Sequence, residues 1–264
     1  MSQTKFCQMD RFTHSVGIDI AFLQRIRFDE AAPALTRLID SGIDFIATSD
    51  IYGDCNEKIG VAISGRRDEF VLSSTTAAGN AFDFWHTLDR DLSLLNTSQF
   101  DIYQFQNPEK IPRFDDGSGL YEGMLMARNQ GKLKYIGVST FRFQTARETA
   151  LSGLYDVLQF PFCYLSDERA IELIRLCKEN DVAFIAYDVL GSGLISGCRA
   201  AREWLMEYES ITTLWDPKDM PQLDELLAML AETPCGLSDE ERELIDSERR
   251  GLGEEYRQRV FRAG

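Results

Sequence analysis

The 264-residue sequence lacks a long apolar segment, has only two histidines and has no closely paired cysteines. No run approaches the roughly 18 apolar residues that a membrane-spanning helix needs, and the polar stretch from Met1 to Phe12 contains no signal-peptide core. There is no CxxC pair and no cysteine–histidine spacing typical of zinc. We therefore expect a cytoplasmic protein that binds no metal and whose cysteines are free thiols. The six cysteines are Cys7, Cys55, Cys163, Cys177, Cys198 and Cys235.

Basic charge is also scarce. The chain has 28 Lys and Arg residues against 43 Asp and Glu residues, a formal net charge of −15 at pH 7. Such a surface repels phosphate backbones and anionic lipids, which argues against nucleic acid and membrane partners. With 44% apolar and 27% charged residues, the composition is that of an ordinary globular protein. We expect a monomer or small homo-oligomer that acts on a small molecule.

Short apolar segments rich in β-formers recur about every 23–34 residues. Helical patterns such as Ala31–Leu38 and Ala81–Leu95 lie between them. Apolar strands that alternate with helices predict a parallel sheet, and eight such units predict an α/β fold, a closed (β/α)8 TIM barrel. The predicted strands are Val16–Leu23, Asp44–Thr48, Phe70–Thr75, Phe100–Gln106, Lys134–Thr140, Val157–Phe162, Val182–Leu190 and Ile211–Trp215.

No linker or change in composition divides the chain, so we predict a single domain over residues 1–264. Its barrel core would span about residues 15–232, and a charged helical tail at 237–264 would pack on the outside. In a barrel of this kind the functional residues lie where the strands end and the following loops begin.

Several motifs that occur in order along the chain resemble the aldo-keto reductase superfamily. They are Gly42–Phe45, Ile51–Gly53, Asn56–Gly60, Gly65–Leu72, Phe100–Gln104, Gly131–Ser139 and Ala186–Gly193. Together the matches cover about residues 15–197. The resemblance implies NADPH-dependent reduction of carbonyl compounds by a Tyr that donates a proton, a Lys–Asp pair that tunes this Tyr, and a His that orients the carbonyl.

This sequence departs from the family at three of these four positions. Tyr52 matches the Tyr, but Ala47, Thr75 (or Thr76) and Gln106 stand where the Asp, Lys and His are expected. Removing one member of a buried ion pair leaves an unpaired charge at a cost of about 3–5 kcal/mol, whereas removing both leaves a neutral pocket. Without a neighbouring cation, the pKa of Tyr52 is expected to stay near its usual value of about 10.

We take Tyr52, Asp50 and Gln106 as the candidate catalytic residues. Asp50 precedes Tyr52 by two positions, so on a continuing strand both side chains would point to the same side. Structural alternatives stay open: Tyr52 as a plain aromatic of the barrel mouth, and Gln106 as a partner for a backbone group. We expect His86 and Cys163 to be structural.

The cofactor positions are only partly kept. Tyr187 matches the ring that stacks on nicotinamide, and Ser139 and Gln159 match groups that hold its carboxamide, with Thr140 replacing the usual Asn. Asp188 stands where a Ser normally meets the pyrophosphate, and a carboxylate there repels phosphate unless it caps the following turn instead. The matched positions are Ser139, Thr140, Gln159, Tyr187, Asp188, Leu190 and Ser192.

The remaining cofactor signals are weak. In the segment from Trp215 to Pro221, where the family grips the adenosine phosphate, Lys218 is the single basic residue. The C-terminal part resembles a branch of the superfamily that holds an iron–sulfur cluster, but Tyr256–Phe261 contains no cysteine and a cluster needs thiolates. We therefore predict no iron–sulfur cluster, and NADP(H) that is bound weakly or not required.

Three hypotheses about function remain open. The first is a redox-neutral enzyme of the lyase, dehydratase or isomerase type, with Tyr52 as acid or polarising group. The second is an NADP(H)-dependent oxidoreductase that reduces a carbonyl with Tyr52 alone. The third is a non-catalytic member that binds a ligand or partner. A barrel keeps its fold while its chemistry changes, so the fold does not decide among them.

Overall fold

The computed structural model describes residues 16–208 and 210–261. Eight parallel strands follow one another in chain order around a closed barrel, which β8 completes by pairing with β1. The predicted (β/α)8 barrel is confirmed. The strands are β1 Val16–Asp19, β2 Phe45–Ser49, β3 Val71–Thr76, β4 Phe100–Gln106, β5 Leu133–Ser139, β6 Val157–Pro161, β7 Ala183–Tyr187 and β8 Ile211–Trp215.

Helices cover the outside of the barrel and follow every strand. Within the described residues they are α1 Phe28–Asp40, α2 Cys55–Ile63, α3 Ala81–Leu94, α4 Leu120–Asn129, α5 Phe143–Leu151, α6 Glu168–Glu179, α7 Cys198–Leu205, α8 Met220–Ala231 and α9 Asp239–Phe261. Short 3-10 helices occur at Ala21–Arg25, Ser64–Glu69 and Gly191–Gly193. None of the helices in the described part of the chain is both long enough and apolar enough to cross a membrane.

The strands are buried on both faces, as the apolar segments predicted. One apolar cluster fills the space between the strands and the helices. A smaller cluster fills the barrel interior, where Phe45, Ile102 and Ile185 pack together, and Tyr187 packs against it from the mouth. The side chains in the mouth therefore stand on a packed floor.

Two strands, β1 and β7, end at least three residues earlier than the sequence predicted. β1 ends at Asp19 because its carboxylate accepts a hydrogen bond from the amide of Ala21 (2.9 Å), which turns the chain into the 3-10 helix Ala21–Arg25. β7 ends at Tyr187 because Asp188 adopts a φ of +55°, a left-handed conformation that no strand contains. Both strand ends lie at the mouth.

The C-terminal helix α9 packs against the loops that follow β6 and β7. Its Glu248 accepts hydrogen bonds from the hydroxyls of Tyr164 and Ser196, and the Nε of Arg249 donates to the carbonyl of Tyr164 (2.6 Å). Tyr256 in the same helix is fully buried. These contacts place the tail outside the barrel wall.

A buried lysine fixes the loop after β1. The ammonium of Lys58 in α2 donates to the carbonyls of Leu23 and Ile26, both at 2.7 Å, and to the carboxylate of Asp54 at 2.8 Å. Because the side chain of Lys58 is only 2% exposed, these carbonyls have little access to water. Lys58 thus holds the 3-10 helix Ala21–Arg25, which forms one wall of the mouth.

We expect Lys58→Met to lower the free energy of unfolding by about 2–4 kcal/mol, because two carbonyls would lose their donor. Urea unfolding followed by circular dichroism measures this. The matched control is Lys178→Met, whose ammonium is exposed at the end of α6 and which should change stability by less than about 0.5 kcal/mol. Equal losses for the two variants would contradict this role for Lys58.

Candidate active site

Tyr52 lies at the mouth in the turn between β2 and α2, and its hydroxyl faces a carboxylate. The amide of Tyr52 donates to the carbonyl of Ser49 (3.2 Å), so the strand has already ended and a tight turn carries the ring inward. The hydroxyl donates a hydrogen bond to Oδ2 of Asp19 at 3.0 Å. The other oxygen of Asp19 accepts from the amide of Ala21. Both carboxylate oxygens of Asp19 are therefore used.

Asp19 is the functional residue that the sequence analysis missed. In the pairing of β1 with β2, Asp19 stands directly opposite Ala47, the position where the resemblance implied a carboxylate. The carboxylate is thus present at the barrel mouth, but on the neighbouring strand. The one available signal was an Asp inside an apolar predicted strand, where an unpaired charge is expensive.

The electrostatics of this pair correct the expectation for Tyr52. Burial and the neighbouring carboxylate of Asp19 raise the pKa of Tyr52 well above its usual range, rather than leaving it near 10. Burial, together with the nearby charge of Asp216, raises the pKa of Asp19 from 3.8 to about 6. At neutral pH the tyrosine is therefore neutral and the aspartate is mostly ionised.

A pocket of about 170 Å³ adjoins Tyr52 and Asp19. Its described walls contain no lysine or arginine, so no cation replaces the missing Lys. Gln106 lies in the wall, and its Oε1 accepts a hydrogen bond from the hydroxyl of Ser49 (3.4 Å). The lining residues are Asp19, Ala47, Thr48, Tyr52, Ser73, Thr75, Gln106, Asn107, Ser139, Thr140, Phe141, Gln159 and Tyr187. The structure therefore brings Tyr52, Gln106 and Thr75 together.

Asp50 is not part of this pocket, because the chain turns after Ser49 and the continuing strand that would have put Asp50 on the side of Tyr52 is absent. Its carboxylate accepts hydrogen bonds from Oγ1 of Thr76 (2.8 Å) and from the amide of Ala77 (3.0 Å). The alternation of a strand stops at Ser49, so Asp50 points toward the end of β3. Asp50 therefore links the end of β2 to the end of β3. Its partner Thr76 was the second candidate for the position of the Lys.

Four of the positions expected to hold nicotinamide do line the pocket: Ser139, Thr140, Gln159 and Tyr187. Oε1 of Gln159 accepts from Nε2 of the buried Gln104 at 3.0 Å, which fixes the Gln159 side chain. Thr140 donates to Oδ1 of Asn107 (3.3 Å) and accepts from the amide of Arg142 (3.0 Å). On this side of the mouth, the polar side chains of Ser139, Thr140 and Gln159 therefore line the same pocket as the ring of Tyr187.

Asp188 and Ser192 bond to each other in the turn after β7. Asp188 accepts from the amide of Ser192 at 2.5 Å and from its hydroxyl at 2.9 Å, which is the turn-capping alternative raised above. Leu190 and Ser192 lie outside the lining of the small pocket. Burial raises the pKa of Asp188 to about 6, with Asp216 adding to the shift.

A second pocket of about 330 Å³ adjoins the first and shares Asp19, Tyr52 and Tyr187 with it. Its walls carry the carboxylates of Asp188 and Asp216, and the ammonium of Lys218 is paired with Asp216. Arg25 is a further basic residue in the wall. A phosphate group beside Tyr187 would thus approach a surface on which three carboxylates face two cations.

The remaining chemically reactive residues lie away from the mouth or are buried. His86 is exposed on α3. Cys163 is fully buried, and burial raises the pKa of its thiol to about 12, so it is a poor nucleophile. The five described cysteines are free, and Cys7 lies outside the described residues, as does His14. In the part of the chain that the structure describes, no group of three potential ligands could hold a metal ion.

The fold and the site define a TIM barrel with a polar pocket at the carboxyl ends of its strands. The model of the aldo/keto reductase family matches residues 15–232, and the chain belongs to this family.

Its relatives by sequence are distant. The chain is 25% identical over 184 residues to the uncharacterized oxidoreductase YqkF of Bacillus subtilis, covering 64% of this chain and 58% of YqkF. It is 27% identical over 182 residues to the aldo-keto reductase yakc [NADP(+)] of Schizosaccharomyces pombe, covering 62% of this chain and 53% of that protein. The chain thus spans less than two thirds of the length of either relative.

Solved structures with the same fold include an aldo-keto reductase from Bacillus halodurans in its holo form, with a TM-score of 0.73 and 17% identity. That match covers 89% of this chain and 91% of the other. An aldo-keto reductase from Klebsiella pneumoniae in complex with NADPH has a TM-score of 0.69 and 22% identity, covering 89% and 90% of the two chains. At these identities the likeness concerns the fold.

The shifted pKa of Asp19 gives a test of the site that needs no substrate. A folded-state pKa above the unfolded value of about 3.9 means that the folded protein holds the proton more tightly, so stability falls as pH rises from about 4 to 6. We expect Asp19→Asn to gain about 1–3 kcal/mol relative to the wild type between pH 4 and pH 7. Urea unfolding at both pH values measures the difference.

The control is Asp181→Asn, an exposed Asp in the turn before β7, at the opposite end of the barrel. This variant should follow the pH dependence of the wild type. If Asp19→Asn differs from the wild type by the same amount at pH 4 and pH 7, the proposed ionisation of Asp19 is refuted.

Proposed function

We propose that this chain is a small-molecule enzyme that catalyses a redox-neutral reaction of the lyase, dehydratase or isomerase type. The observation that carries the proposal is the 3.0 Å hydrogen bond from Tyr52 to Asp19 in a pocket whose described walls contain no lysine or arginine. Tyr52, the acid or polarising group of the sequence analysis, contacts the substrate and relays protons between it and Asp19, which is the base.

This pair suits proton transfer. A base works best when its pKa lies near the working pH, and that of Asp19 is about 6. When Oη of Tyr52 takes a proton from the substrate, its own proton passes to Oδ2 of Asp19. The reverse movement returns a proton to another atom of the substrate. Tyr52 is unchanged over the cycle, and Asp19 holds the proton between the two steps.

The same pair is poorly suited to carbonyl reduction. There the tyrosine must give its proton to a developing alkoxide, and a nearby cation makes that easier. Here the neighbour is an anion, which strengthens the hold of Tyr52 on its proton. Ser139, Thr75 and Gln106 supply neutral hydrogen-bonding groups that suit a polar, uncharged part of a substrate.

A second candidate is an NADP(H)-dependent oxidoreductase. The retained Tyr187, Ser139 and Gln159 favour it, as does the name of the S. pombe relative, which carries NADP(+). The carboxylates of Asp188 and Asp216 argue against this candidate, because they line the pocket beside Tyr187 and would repel the phosphates of the cofactor. A third, non-catalytic reading would be favoured if compounds bind in the pocket and none is converted.

We expect Tyr52→Phe to lower turnover of the true substrate by at least about 10²-fold, and Asp19→Asn to lower it by a similar factor, since the two act as one unit. Substrates would be sought among metabolites that raise the melting temperature of the wild type. Gln106→Ala should cause a smaller loss.

The control for Tyr52→Phe is Tyr135→Phe, which removes a partly buried hydroxyl near the start of β5, at the far end of the barrel. Tyr135→Phe should leave turnover within about twofold of the wild type. Tyr52→Phe leaves a buried oxygen of Asp19 without its donor and should lower the melting temperature, so turnover is compared at a temperature at which circular dichroism shows every variant to be folded. Full activity of Tyr52→Phe would sink the proposed mechanism.

Cofactor binding separates the first two candidates. We expect NADPH to bind with a dissociation constant weaker than about 1 µM, measured by quenching of intrinsic fluorescence. Asp188→Asn keeps the acceptor for Ser192 and tolerates the left-handed backbone while removing the charge, so it should tighten binding by up to about tenfold. Asp181→Asn, also at positive φ, is the control and should have no effect. Micromolar or tighter binding by the wild type would favour the oxidoreductase.

A further inference from the structure

Three polar side chains that line the pocket around Tyr52 have donors without partners. Thr75 is 8% exposed, and Ser139 and Gln159 are 7% exposed each. Oγ1 of Thr75, Oγ of Ser139 and Nε2 of Gln159 form no hydrogen bond with any described residue, and each is open to the pocket. Polar groups buried to this degree are normally paired. The three donors therefore point to a ligand that supplies an acceptor.

The amide of Gln159 is held so that its donor side is left for the pocket. Its Oε1 accepts from Nε2 of Gln104, a fully buried residue of β4, at 3.0 Å. Gly137 leaves the space that Gln104 occupies, because a Cβ at that position would lie 3.1 Å from Cγ of Gln104. With its oxygen occupied, Gln159 has two N–H donors to offer and binds an acceptor.

The donors and the Tyr52–Asp19 pair lie on opposite sides of the barrel. Ser139 on β5 and Gln159 on β6 are register partners, so their side chains stand next to each other. Asp19 ends β1 and Tyr52 follows β2. In a closed barrel of eight strands in chain order, β1 lies opposite β5 and β2 lies opposite β6. A small ligand in this pocket can therefore meet the donors at one end and the proton-transfer pair at the other.

The charge of the lining decides which kind of oxygen fits. No lysine or arginine among the described residues lines the pocket, and Asp19 is mostly ionised at neutral pH, so a ligand group that arrives with a negative charge is repelled. A carbonyl oxygen is a neutral acceptor. When a proton leaves the carbon next to it and reaches Asp19, the carboxylate becomes neutral and the negative charge moves to the carbonyl oxygen. The total charge of the pocket stays the same, so the step needs no cation.

We propose, resting on the function proposed above, that Gln159, Ser139 and Thr75 form an oxyanion site for an enolate. The C–H bond next to the carbonyl group breaks, and its proton passes to Oη of Tyr52 as the proton of Tyr52 passes to Asp19. The electron pair of that bond forms the enolate, whose oxygen accepts hydrogen bonds from the three donors. The reverse transfer returns a proton to the same carbon or to one conjugated with it, so no oxidant or reductant takes part.

This arrangement assigns the two ends of the reacting group differently from carbonyl reduction. There a tyrosine gives its proton to the oxygen, whereas here Tyr52 acts on the carbon and the oxygen lies against Ser139 and Gln159. Donors fixed in place before the reaction stabilise a developing anion strongly, and removing one of them typically costs about 10²–10³-fold in rate. Such stabilisation lets a carboxylate of modest basicity remove a proton from carbon.

The experiment follows the exchange of hydrogen for deuterium next to the carbonyl group of acetone, hydroxyacetone and cyclohexanone in D2O by proton NMR, with no nicotinamide cofactor added. We expect the wild type to exchange at least one of these ketones faster than buffer does. Gln159→Met should be about 10²-fold slower and Ser139→Ala at least about tenfold slower. The control is Gln130→Met, at an exposed position after α4, which should stay within about twofold of the wild type.

Ser139→Ala keeps the test independent of folding. The hydroxyl of Ser139 has no partner among the described residues, so its removal should leave the melting temperature unchanged while exchange slows. A purely structural role would lower the melting temperature and spare exchange. Wild-type rates for both Gln159→Met and Ser139→Ala, or no exchange by the wild type with any of the three ketones, overturns the oxyanion site.

Tyr52→Phe, measured in parallel, separates this proposal from the proposed function. If Tyr52→Phe loses exchange while Gln159→Met and Ser139→Ala keep it, the Tyr52–Asp19 pair transfers protons and the oxyanion site alone is refuted. If Tyr52→Phe keeps exchange while the other two variants lose it, the donors stabilise the enolate and the role of Tyr52 is refuted.

Discussion

The hydrogen bond between Tyr52 and Asp19 is the interaction on which the barrel mouth depends. Asp19 ends β1, turns the chain through its bond to the amide of Ala21, and receives the hydroxyl of Tyr52 on its other oxygen. One carboxylate therefore fixes a strand end, a loop and the tyrosine ring that lines the pocket. It also decides the charge of the site, because an anion beside a phenol keeps the phenol protonated. Both pockets at the mouth share these two residues.

The site is a compensated rearrangement of the one that the family resemblance implies. A carboxylate at position 47 would have been paired with a lysine at position 75, and both are absent. Asp19 stands across the β1–β2 pair from Ala47, so a carboxylate returns to almost the same place without its cation. Two hydrogen bonds replace the ion pair, and the raised pKa lets the carboxylate take up a proton easily. In the proposed function, Asp19 carries a proton, whereas the Lys–Asp pair that the resemblance implies tunes the tyrosine.

Periodicity was sufficient to predict the barrel, because strands buried on both faces leave unbroken apolar segments in the sequence. Motifs were sufficient to place Tyr52, Gln106 and Gln159 at the mouth, where Tyr52 follows β2, Gln106 ends β4 and Gln159 lies within β6. Sequence patterns did not predict where side chains lie just beyond the end of a strand. Strand alternation would have put Asp50 on the side of Tyr52 only if β2 had continued, and the chain turns after Ser49 instead. Asp19 was missed because its partner lies 33 residues away, and only the register of β1 against β2 brings them together.

Charge is distributed unevenly around the mouth, and this asymmetry bears on how a ligand can lie in it. The pocket beside the ends of β7 and β8 is lined by three carboxylates and two cations, whereas a further pocket beside the ends of β5 and β6 is lined by two carboxylates and two arginines. A dinucleotide whose nicotinamide stacks on Tyr187 would have to bring its phosphates to the acidic side. Phe141 lines both the pocket beside the ends of β5 and β6 and the pocket around Tyr52 and Asp19, so the two adjoin. The acidic side of the mouth thus repels an anion, and the pocket around Tyr52 and Asp19, which no lysine or arginine of the described residues lines, suits a neutral group.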